Sequence, residues 1–337
     1  MMIIMRESAT EEDIQHIVEK VENLGIVLHI SKGTFATVIG LVGDTTKARE
    51  LPLATFPGVE RVVAIMKPFK LVGREFHPAD TIVDVGKIQV GGNNFTVIAG
   101  PCSVEGRDSY LEIARFIKKT GAQVLRGGAF KPRSSPYSFQ GLGEDGLKIM
   151  AEARDETGLP IVTEVMDTRD VELVDKYADV LQIGARNMQN FTLLKEVGGA
   201  KRPIMIKRGL SSTIEEFLMA AEYVISSGNE AVILCERGIR TFETYTRNTL
   251  DLSCVPLVKK LSHLPIIVDP SHGAGRWDIV EPLSIASVAV GAHGIMIEVH
   301  PRPEEAMSDG YESLKFDNFA NLMKNVKQAA RVFGKGI

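Results

Sequence analysis

Positively charged side chains occur at or just after the ends of several short apolar runs in the sequence. Six of them are Arg126, Lys131, Arg133, Arg186, Lys207 and Arg237. Arginine binds phosphate and carboxylate groups through two parallel hydrogen bonds, and lysine adds a compact positive charge. The whole chain has a formal net charge of -4, so these cations are a local feature. Unless each is a solvated loop charge or a partner in an ion pair, they predict a site for more than one phosphate or carboxylate group.

A second group of residues has the chemistry of a metal site. It comprises Cys102, His272, Glu298 and Asp309. One thiolate, one imidazole and two carboxylates suit a divalent Mn, Fe, Co or Zn ion better than Mg or Ca, which favour oxygen ligands alone. Their spacing is not a metal motif by itself. The alternative is a buried inert thiol, a histidine in a cap or loop, and two carboxylates in salt bridges.

Eight short apolar runs from residue 95 onward are spaced as strands that alternate with helices. They span residues 95–99, 123–125, 160–163, 179–183, 203–206, 231–234, 265–268 and 294–297. This order predicts an α/β fold of the closed (β/α)8 type, a TIM barrel, in which the loops after the strands meet on one face. An open doubly wound sheet is the alternative. It is disfavoured because no Gly-x-Gly-x-x-Gly follows the first strand and polar residues follow nearly every strand.

The first 70 residues have the pattern of a smaller domain. Apolar runs at residues 3–5, 25–30, 34–41 and 59–66 predict four strands, with a helix after a possible Thr10 cap and a shorter helix over residues 47–54. The order is that of a ferredoxin-like βαββαβ domain. We therefore predict this domain over residues 1–70, a linker and a β-hairpin that caps the bottom of the barrel over residues 71–94, and the barrel over residues 95–337.

Composition places the chain among ordinary globular proteins. It is 44% apolar and 24% charged, and its net charge gives no reason to expect nucleic acid or a membrane as partner. Three cysteines, Cys102, Cys235 and Cys254, form no disulfide framework and suit a reducing compartment. The first residues lack the pattern of a signal peptide, and no apolar run reaches membrane-spanning length. We expect a cytoplasmic protein.

The run Lys-Pro-Arg-Ser-Ser-Pro-Tyr-Ser-Phe-Gln-Gly-Leu-Gly over residues 131–143 is the most distinctive stretch of the sequence. It closely resembles the 3-deoxy-D-arabino-heptulosonate-7-phosphate (DAHP) synthase family in its short bacterial and archaeal form. Agreement extends through residues 99–103, 182–190, 207–209, 235–238 and 269–272. Ser134 stands where the family usually has threonine, and it retains the hydroxyl.

The resemblance implies condensation of phosphoenolpyruvate with erythrose 4-phosphate and water, which gives DAHP and phosphate in the first step of the shikimate pathway to aromatic amino acids. It assigns the phosphate and carboxylate of phosphoenolpyruvate to Arg126, Lys131, Arg186, Lys207 and Arg237. It assigns erythrose 4-phosphate to Lys131, Pro132, Arg133, Ser134 and Asp269.

The same resemblance implies a divalent metal cofactor, with manganese as the first candidate. Its ligands would be Cys102, His272, Glu298 and Asp309. Lys131 is the leading candidate for the general acid, and Glu298 and Asp269 are further residues that could move protons.

The N-terminal domain resembles regulatory domains fused to this enzyme class. The likeness implies feedback inhibition by tyrosine or phenylalanine and a homotetramer. The predicted linker over residues 67–80 suggests the further hypothesis that the ligand pins this domain over the barrel mouth of the same or a neighbouring subunit. A structural cap or an oligomer contact is the alternative role.

Two other functions compete with this interpretation. 3-Deoxy-D-manno-octulosonate-8-phosphate synthase shares the barrel and the chemistry, but that family typically has Lys-Ala-Asn-Arg-Ser where residues 131–134 here are Lys-Pro-Arg-Ser. A phosphosugar-binding sensor with a catalytically silent barrel is the second alternative. The intact set of candidate metal ligands argues against a sensor.

Overall fold

The computed structural model describes residues 1–33, 36–42, 45, 47–63, 68–131, 135 and 137–337. These residues form two compact units. The first comprises residues 1–80 with 260–263, and the second comprises residues 81–259 with 264–337. Each unit has its own buried apolar cluster.

The first unit contains a four-stranded antiparallel sheet and one α-helix. Its elements are β1 (Met2–Met5), α1 (Glu11–Glu22), β2 (Val27–Lys32), β3 (Thr37–Val42) and β4 (Val59–Val63). The strand order is β2-β3-β1-β4. Thr10 and Asp13 form a capping box at the start of α1, and the helix buries Ile14, Ile17 and Val21 against the sheet core. The ferredoxin-like prediction is confirmed.

The short helix predicted over residues 47–54 is not an α-helix. Two 3-10 turns occupy this stretch, Lys47–Glu50 and Leu53–Thr55. Pro52 separates them, because proline has no backbone N–H to donate and disfavours the helical conformation of the residue before it.

The second unit is a closed barrel of eight parallel strands, as predicted. The strands are β7 (Thr96–Gly100), β8 (Val124–Arg126), β9 (Ile161–Val165), β10 (Val180–Ile183), β11 (Ile204–Lys207), β12 (Val232–Glu236), β13 (Ile266–Val268) and β14 (Gly294–Glu298). The helices are α2 (Arg107–Thr120), α3 (Glu144–Thr157), α4 (Val171–Tyr177), α5 (Phe191–Gly198), α6 (Ile214–Ser226), α7 (Cys254–Leu261), α8 (Pro270–Ala274), α9 (Val280–Ala289) and α10 (Phe316–Val332).

A β-hairpin packs against the N-terminal end of the barrel interior. Its strands are β5 (Val83–Val85) and β6 (Ile88–Val90). Val83, Val85 and Val90 are buried in one cluster with a layer of inward side chains from all eight strands. That layer consists of Ile98, Val124, Val162, Val180, Met205, Ile233, Ile267 and Met296. The hairpin therefore closes this end of the barrel.

A polar layer of inward side chains follows the apolar layer toward the C-terminal ends of the strands. A residue two positions beyond an inward residue also points inward. The residues two positions beyond the apolar layer include Arg126, Glu164, Gln182, Lys207, Asp269 and Glu298. Arg208 and Glu236 have the opposite parity, and they pair with each other at 2.9 Å outside this interior set. The alternation therefore gives the neighbours Lys207 and Arg208 different surroundings.

Candidate active site

A cavity of 460 Å³ opens at the C-terminal ends of the barrel strands. Among the described residues, seven cationic side chains line it, namely Arg126, Lys131, Arg186, Lys207, Arg237, Arg240 and Arg247. Five of them were predicted from the sequence as anion-binding residues. The predicted residues Pro132, Arg133 and Ser134 lie outside the described part of the chain. Such a density of guanidinium and ammonium groups makes the cavity electrostatically favourable for anions.

Asp269 is fully buried and ties two of the predicted site residues together. Its Oδ2 atom lies 2.6 Å from Lys207 Nζ and 2.8 Å from His272 Nδ1. Its Oδ1 atom accepts from the backbone N–H of His272 at 3.0 Å, at the start of α8. Burial alone would raise the pKa of Asp269, but His272 and Lys207 hold it well below its ordinary value. Asp269 is not one of the residues that line the cavity.

His272 lies between Asp269 and a group of carboxylates. Its Nδ1 faces Asp269, although the two atoms lack the alignment of a good hydrogen bond, and its Nε2 lies 3.4 Å from Glu298 Oε1. Burial lowers the pKa of His272 despite the neighbouring Asp269. A neutral imidazole with one nitrogen facing a carboxylate is the usual arrangement of a histidine that binds a metal through its other nitrogen.

Four side chains form a cluster with the composition of a metal site. The ligand atoms of His272, Glu298, Asp309 and Glu312 all lie within 4.8 Å of one another. Glu298 is also paired with Arg126, whose Nη1 lies 2.5 Å from Glu298 Oε1. Three of the four are sequence-predicted metal ligands, and Glu312 was not predicted.

The fourth predicted ligand, Cys102, lies beside this cluster. Its Sγ is 3.0 Å from Asp309 Oδ2 and 2.9 Å from Lys131 Nζ. Lys131 Nζ also donates to the Cys102 carbonyl oxygen at 3.0 Å. Burial, and then the nearby Glu298, raise the pKa of the Cys102 thiol to about 12, so the thiol is neutral unless a cation displaces its proton.

Family models cover nearly the whole chain. Residues 77–333 match the model of the DAHP synthetase I family, and residues 1–67 match the model of the DAHP synthase ferredoxin-like domain. The chain belongs to the DAHP synthetase I family.

Individual members of the DAHP synthetase I family agree with this assignment. Phospho-2-dehydro-3-deoxyheptonate aldolase of Thermotoga maritima is 54% identical over 334 residues, which cover 99% of both chains. The crystal structure of DAHP synthase from Thermotoga maritima covers 99% of this chain and 98% of its own, at a TM-score of 0.79 and 53% identity. A solved truncated form of that synthase covers 79% of this chain and 98% of its own, at a TM-score of 0.75 and 54% identity. The resemblance, the fold and the enzymatic nature predicted from the sequence are thereby confirmed.

A more distant relative of this DAHP synthetase I chain matches a smaller part of it. 2-Dehydro-3-deoxyphosphooctonate aldolase of Syntrophobacter fumaroxidans is 31% identical over 261 residues, which cover 72% of this chain and 90% of that protein. The heptonate relative, in contrast, extends over both units.

The DAHP synthetase I family implies a divalent metal, and the buried polar atoms fit one. Among the described residues, Glu298 Oε2 and Glu312 Oε1 are buried without a hydrogen-bond partner. Burial, and then the neighbouring Glu298, raise the pKa of Glu312 to about 9. Unpartnered carboxylate oxygens next to a neutral imidazole are costly to bury alone, and a divalent cation would satisfy them.

Three charged residues in or beside the cavity of this DAHP synthetase I chain were not predicted from the sequence. Arg240 and Arg247 line the cavity from the long segment between β12 and α7, and Glu312 lies in the segment between β14 and α10. These long connecting segments have no hydrophobic periodicity, so the sequence does not show which of their residues lie near the strand ends. Glu164 and Gln182 also line the cavity. Glu164 follows the third predicted strand and was expected at this face from the barrel rule, and Gln182 begins the family-like run 182–190.

No helix in the part of this DAHP synthetase I chain that the structure describes has the length and apolar character needed to cross a membrane.

Proposed function

We propose that the chain condenses phosphoenolpyruvate with erythrose 4-phosphate and water to give DAHP and phosphate, the first step of the shikimate pathway. The observation that carries this proposal is the meeting of two features at one barrel end. Seven cations of the described chain line the cavity. The His272 cluster, which consists of His272, Glu298, Asp309 and Glu312, contributes His272 and Asp309 to the same lining. An anion site beside a Lewis-acid site suits two phosphorylated substrates, one of which carries an aldehyde.

The cations supply the binding and the charge stabilisation in this proposal. Arg126, Lys131, Arg186, Lys207 and Arg237 hold the phosphate and carboxylate of phosphoenolpyruvate. Lys207 is itself fixed by Asp269 at 2.6 Å, so the ammonium group needs little reorganisation when the anion arrives. Arg240 and Arg247 add further positive charge to the cavity lining. We assign the second phosphorylated substrate to Lys131, Pro132, Arg133 and Ser134.

Proton transfer in this proposal centres on Lys131. The Lys131 side chain is largely buried and lines the cavity. Its ammonium group donates a hydrogen bond to the Cys102 carbonyl oxygen at 3.0 Å. Burial alone would lower the pKa of Lys131, but the neighbouring Cys102 raises it above its ordinary value, so the group holds a proton that it can give to the aldehyde oxygen as the new carbon–carbon bond forms. Water then adds to the former enol carbon, and phosphate leaves as the carbon–oxygen bond breaks. Glu298 and Asp269 are the other candidates for moving protons.

A divalent cation held by Cys102, His272, Glu298 and Asp309 supplies Lewis acidity toward a carbonyl oxygen. The residues fit this role because Asp269 faces Nδ1 of His272 and leaves Nε2 toward the carboxylates. We propose manganese, with iron, cobalt or zinc as alternatives.

The substrate assignment predicts which aldose the purified protein uses. Phosphoenolpyruvate should disappear, and one equivalent of phosphate should form, with erythrose 4-phosphate but not with arabinose 5-phosphate. The loss of phosphoenolpyruvate can be followed continuously by its absorbance, and the phosphate formed can be measured with a phosphate assay. Faster turnover of the five-carbon aldose would favour the octulosonate reaction, and binding without phosphate release would favour a sensor.

The metal assignment predicts that chelation abolishes this turnover. Treatment with a chelator should remove activity because the buried carboxylates and the Cys102 thiol lose the charge that holds them together. Adding back Mn²⁺, Fe²⁺, Co²⁺ or Zn²⁺ one at a time, with metal content measured after each addition, should restore it. Full activity of a protein shown to be metal-free would contradict the assignment.

We also propose that tyrosine or phenylalanine inhibits the enzyme through its first unit. The support is the match of residues 1–67 to the ferredoxin-like domain of this family and the separate apolar core of that unit. The homotetramer stays a prediction.

This regulatory proposal predicts the behaviour of a chain that lacks residues 1–70. The truncated chain should remain active, because the barrel has its own core and a truncated relative has been solved, but it should no longer respond to either amino acid. Inhibition curves of both chains, with leucine as a control ligand, measure this. Inhibition that persists after truncation would place the inhibitor on the barrel.

A further inference from the structure

Glu312 combines deep burial with an unsatisfied oxygen. The side chain is 2% exposed. Its Oε2 accepts from Arg247 Nη1 at 2.9 Å, while its Oε1 is buried and has no hydrogen-bond partner among the described residues. That oxygen lies 3.8 Å from His272 Nε2. Two atoms bound to one metal at about 2.0–2.2 Å each are separated by no more than about 4.4 Å, so both can contact the same ion.

The backbone turn that carries Glu312 also carries Asp309. Asp309 has φ 48°, the only positive φ among the described non-glycine residues, and it begins the 3-10 turn Gly310–Glu312. At Gly310 a β-carbon would collide with the Pro303 carbonyl. Left-handed backbone at a non-glycine residue is uncommon and is found where surrounding structure enforces it, often at functional sites. Here it directs both carboxylates to the His272 cluster.

Arg247 neutralises one side of this pair of carboxylates. Its Nη1 lies 3.3 Å from Asp309 Oδ1 and 2.9 Å from Glu312 Oε2. The opposite side faces Glu298, which is 0% exposed and whose Oε2 has no hydrogen-bond partner within the described part of the chain. Buried carboxylates that face each other repel unless a cation lies between them. If Glu312 were held by Arg247 alone and bound no metal, Glu312 Oε1 and Glu298 Oε2 would both remain unsatisfied among the described residues.

We propose that Glu312 is an additional ligand of the divalent cation, through Oε1, and that Arg247 orients it through Oε2. This inference rests on the metal site of the proposed function and extends it. The protein then offers three carboxylates, one imidazole and one thiolate. Carboxylate ligands suit Mn²⁺, whereas thiolate ligands suit Zn²⁺. Glu312 therefore biases the site toward the oxygen-preferring ion.

The test is metal binding by the metal-free, full-length protein and its Glu312→Gln variant. Glutamine keeps the shape but removes the charge. Mn²⁺ affinity, measured by electron paramagnetic resonance of the free ion, should fall about tenfold or more, and Zn²⁺ affinity, measured in competition with a chromophoric chelator, should fall less. The control is Glu305→Gln in the same segment, an exposed residue paired with Arg302, which should leave both affinities unchanged. Circular dichroism and thermal melts establish that each variant is folded.

The outcomes separate this inference from the proposed function. Equal Mn²⁺ affinity in the Glu312→Gln and Glu305→Gln variants would overturn the role of Glu312 and leave the metal site in place. A wild-type protein that binds neither ion would overturn the metal site itself. A crystal structure of the Mn²⁺-loaded wild-type protein tests the role of Glu312 without a substitution. Direct bonding of Glu312 Oε1 to the ion supports the inference, and an ion bound without Glu312 overturns it.

Discussion

Replacing Lys131 with methionine is expected to lower kcat by about 10² to 10⁴-fold, the usual contribution of a general acid. Methionine preserves much of the side-chain volume and removes the ammonium group, which bridges the Cys102 carbonyl and the cavity. Steady-state kinetics with phosphoenolpyruvate and erythrose 4-phosphate would measure the change. Metal content should be determined on the same sample, because Lys131 also contacts the Cys102 thiol at 2.9 Å.

The matched control for this substitution is Lys148→Met. Lys148 lies on α3 with an exposed side chain and pairs with Asp145 at 3.1 Å. The kcat and KM of the Lys148→Met enzyme should therefore equal those of the wild type. A Lys131→Met enzyme with normal kcat and a raised KM would show that Lys131 only binds phosphoenolpyruvate. The proton would then come from another group.

Replacing Asp269 with asparagine is expected to lower the free energy of unfolding of the barrel by about 3–5 kcal/mol, because it leaves a buried cation without its counter-charge. Asp269 and the Lys207 side chain are 0% and 5% exposed, and their charged atoms are 2.6 Å apart. Activity should fall as well, since Asp269 also faces His272. Urea unfolding followed by circular dichroism would measure the stability change.

The pH dependence of this difference has a definite sign. His272 and Lys207 depress the folded-state pKa of Asp269, so its stabilising effect is fully present above the unfolded value of about 3.9. The effect is lost only as the pH falls through the lower folded-state pKa. The stability gap between wild type and Asp269→Asn should therefore be equal at pH values of about 5 and 8. The exposed Asp145→Asn variant should show little change, and a gap that closes well above the unfolded pKa would contradict this account.

Strand alternation explains why much of the site could be predicted from the sequence. Arg126 and Lys207 end apolar strands, and the period of two sends them into the same interior as the apolar residue two positions earlier. The barrel rule then brings these ends together. The motif around residues 131–143 contributed the likeness to a family, which the matched models confirmed.

The parts that could not be predicted lie where the chain has no period. Arg247 and Glu312 come from long connections, and their meeting at 2.9 Å depends on tertiary structure alone. Asp269 was assigned to erythrose 4-phosphate, a role that stays a prediction. The structure shows it buried against Lys207 and His272, partners that the spacing of these residues in the sequence does not reveal. In residues 47–54, the apolar pattern suggested a helix that Pro52 interrupts.

The valine-rich hairpin of residues 83–90 limits the route by which small molecules can enter and leave the barrel. Its buried side chains close the N-terminal end of the barrel. Within the described part of the chain, the reactants and both products of the proposed reaction would therefore enter and leave by the cavity at the C-terminal ends of the strands. Under the proposed function, inorganic phosphate would leave past the same arginines that would bind the next phosphoenolpyruvate. The proposed function therefore implies that free phosphate competes with phosphoenolpyruvate for the same arginines and lowers the rate.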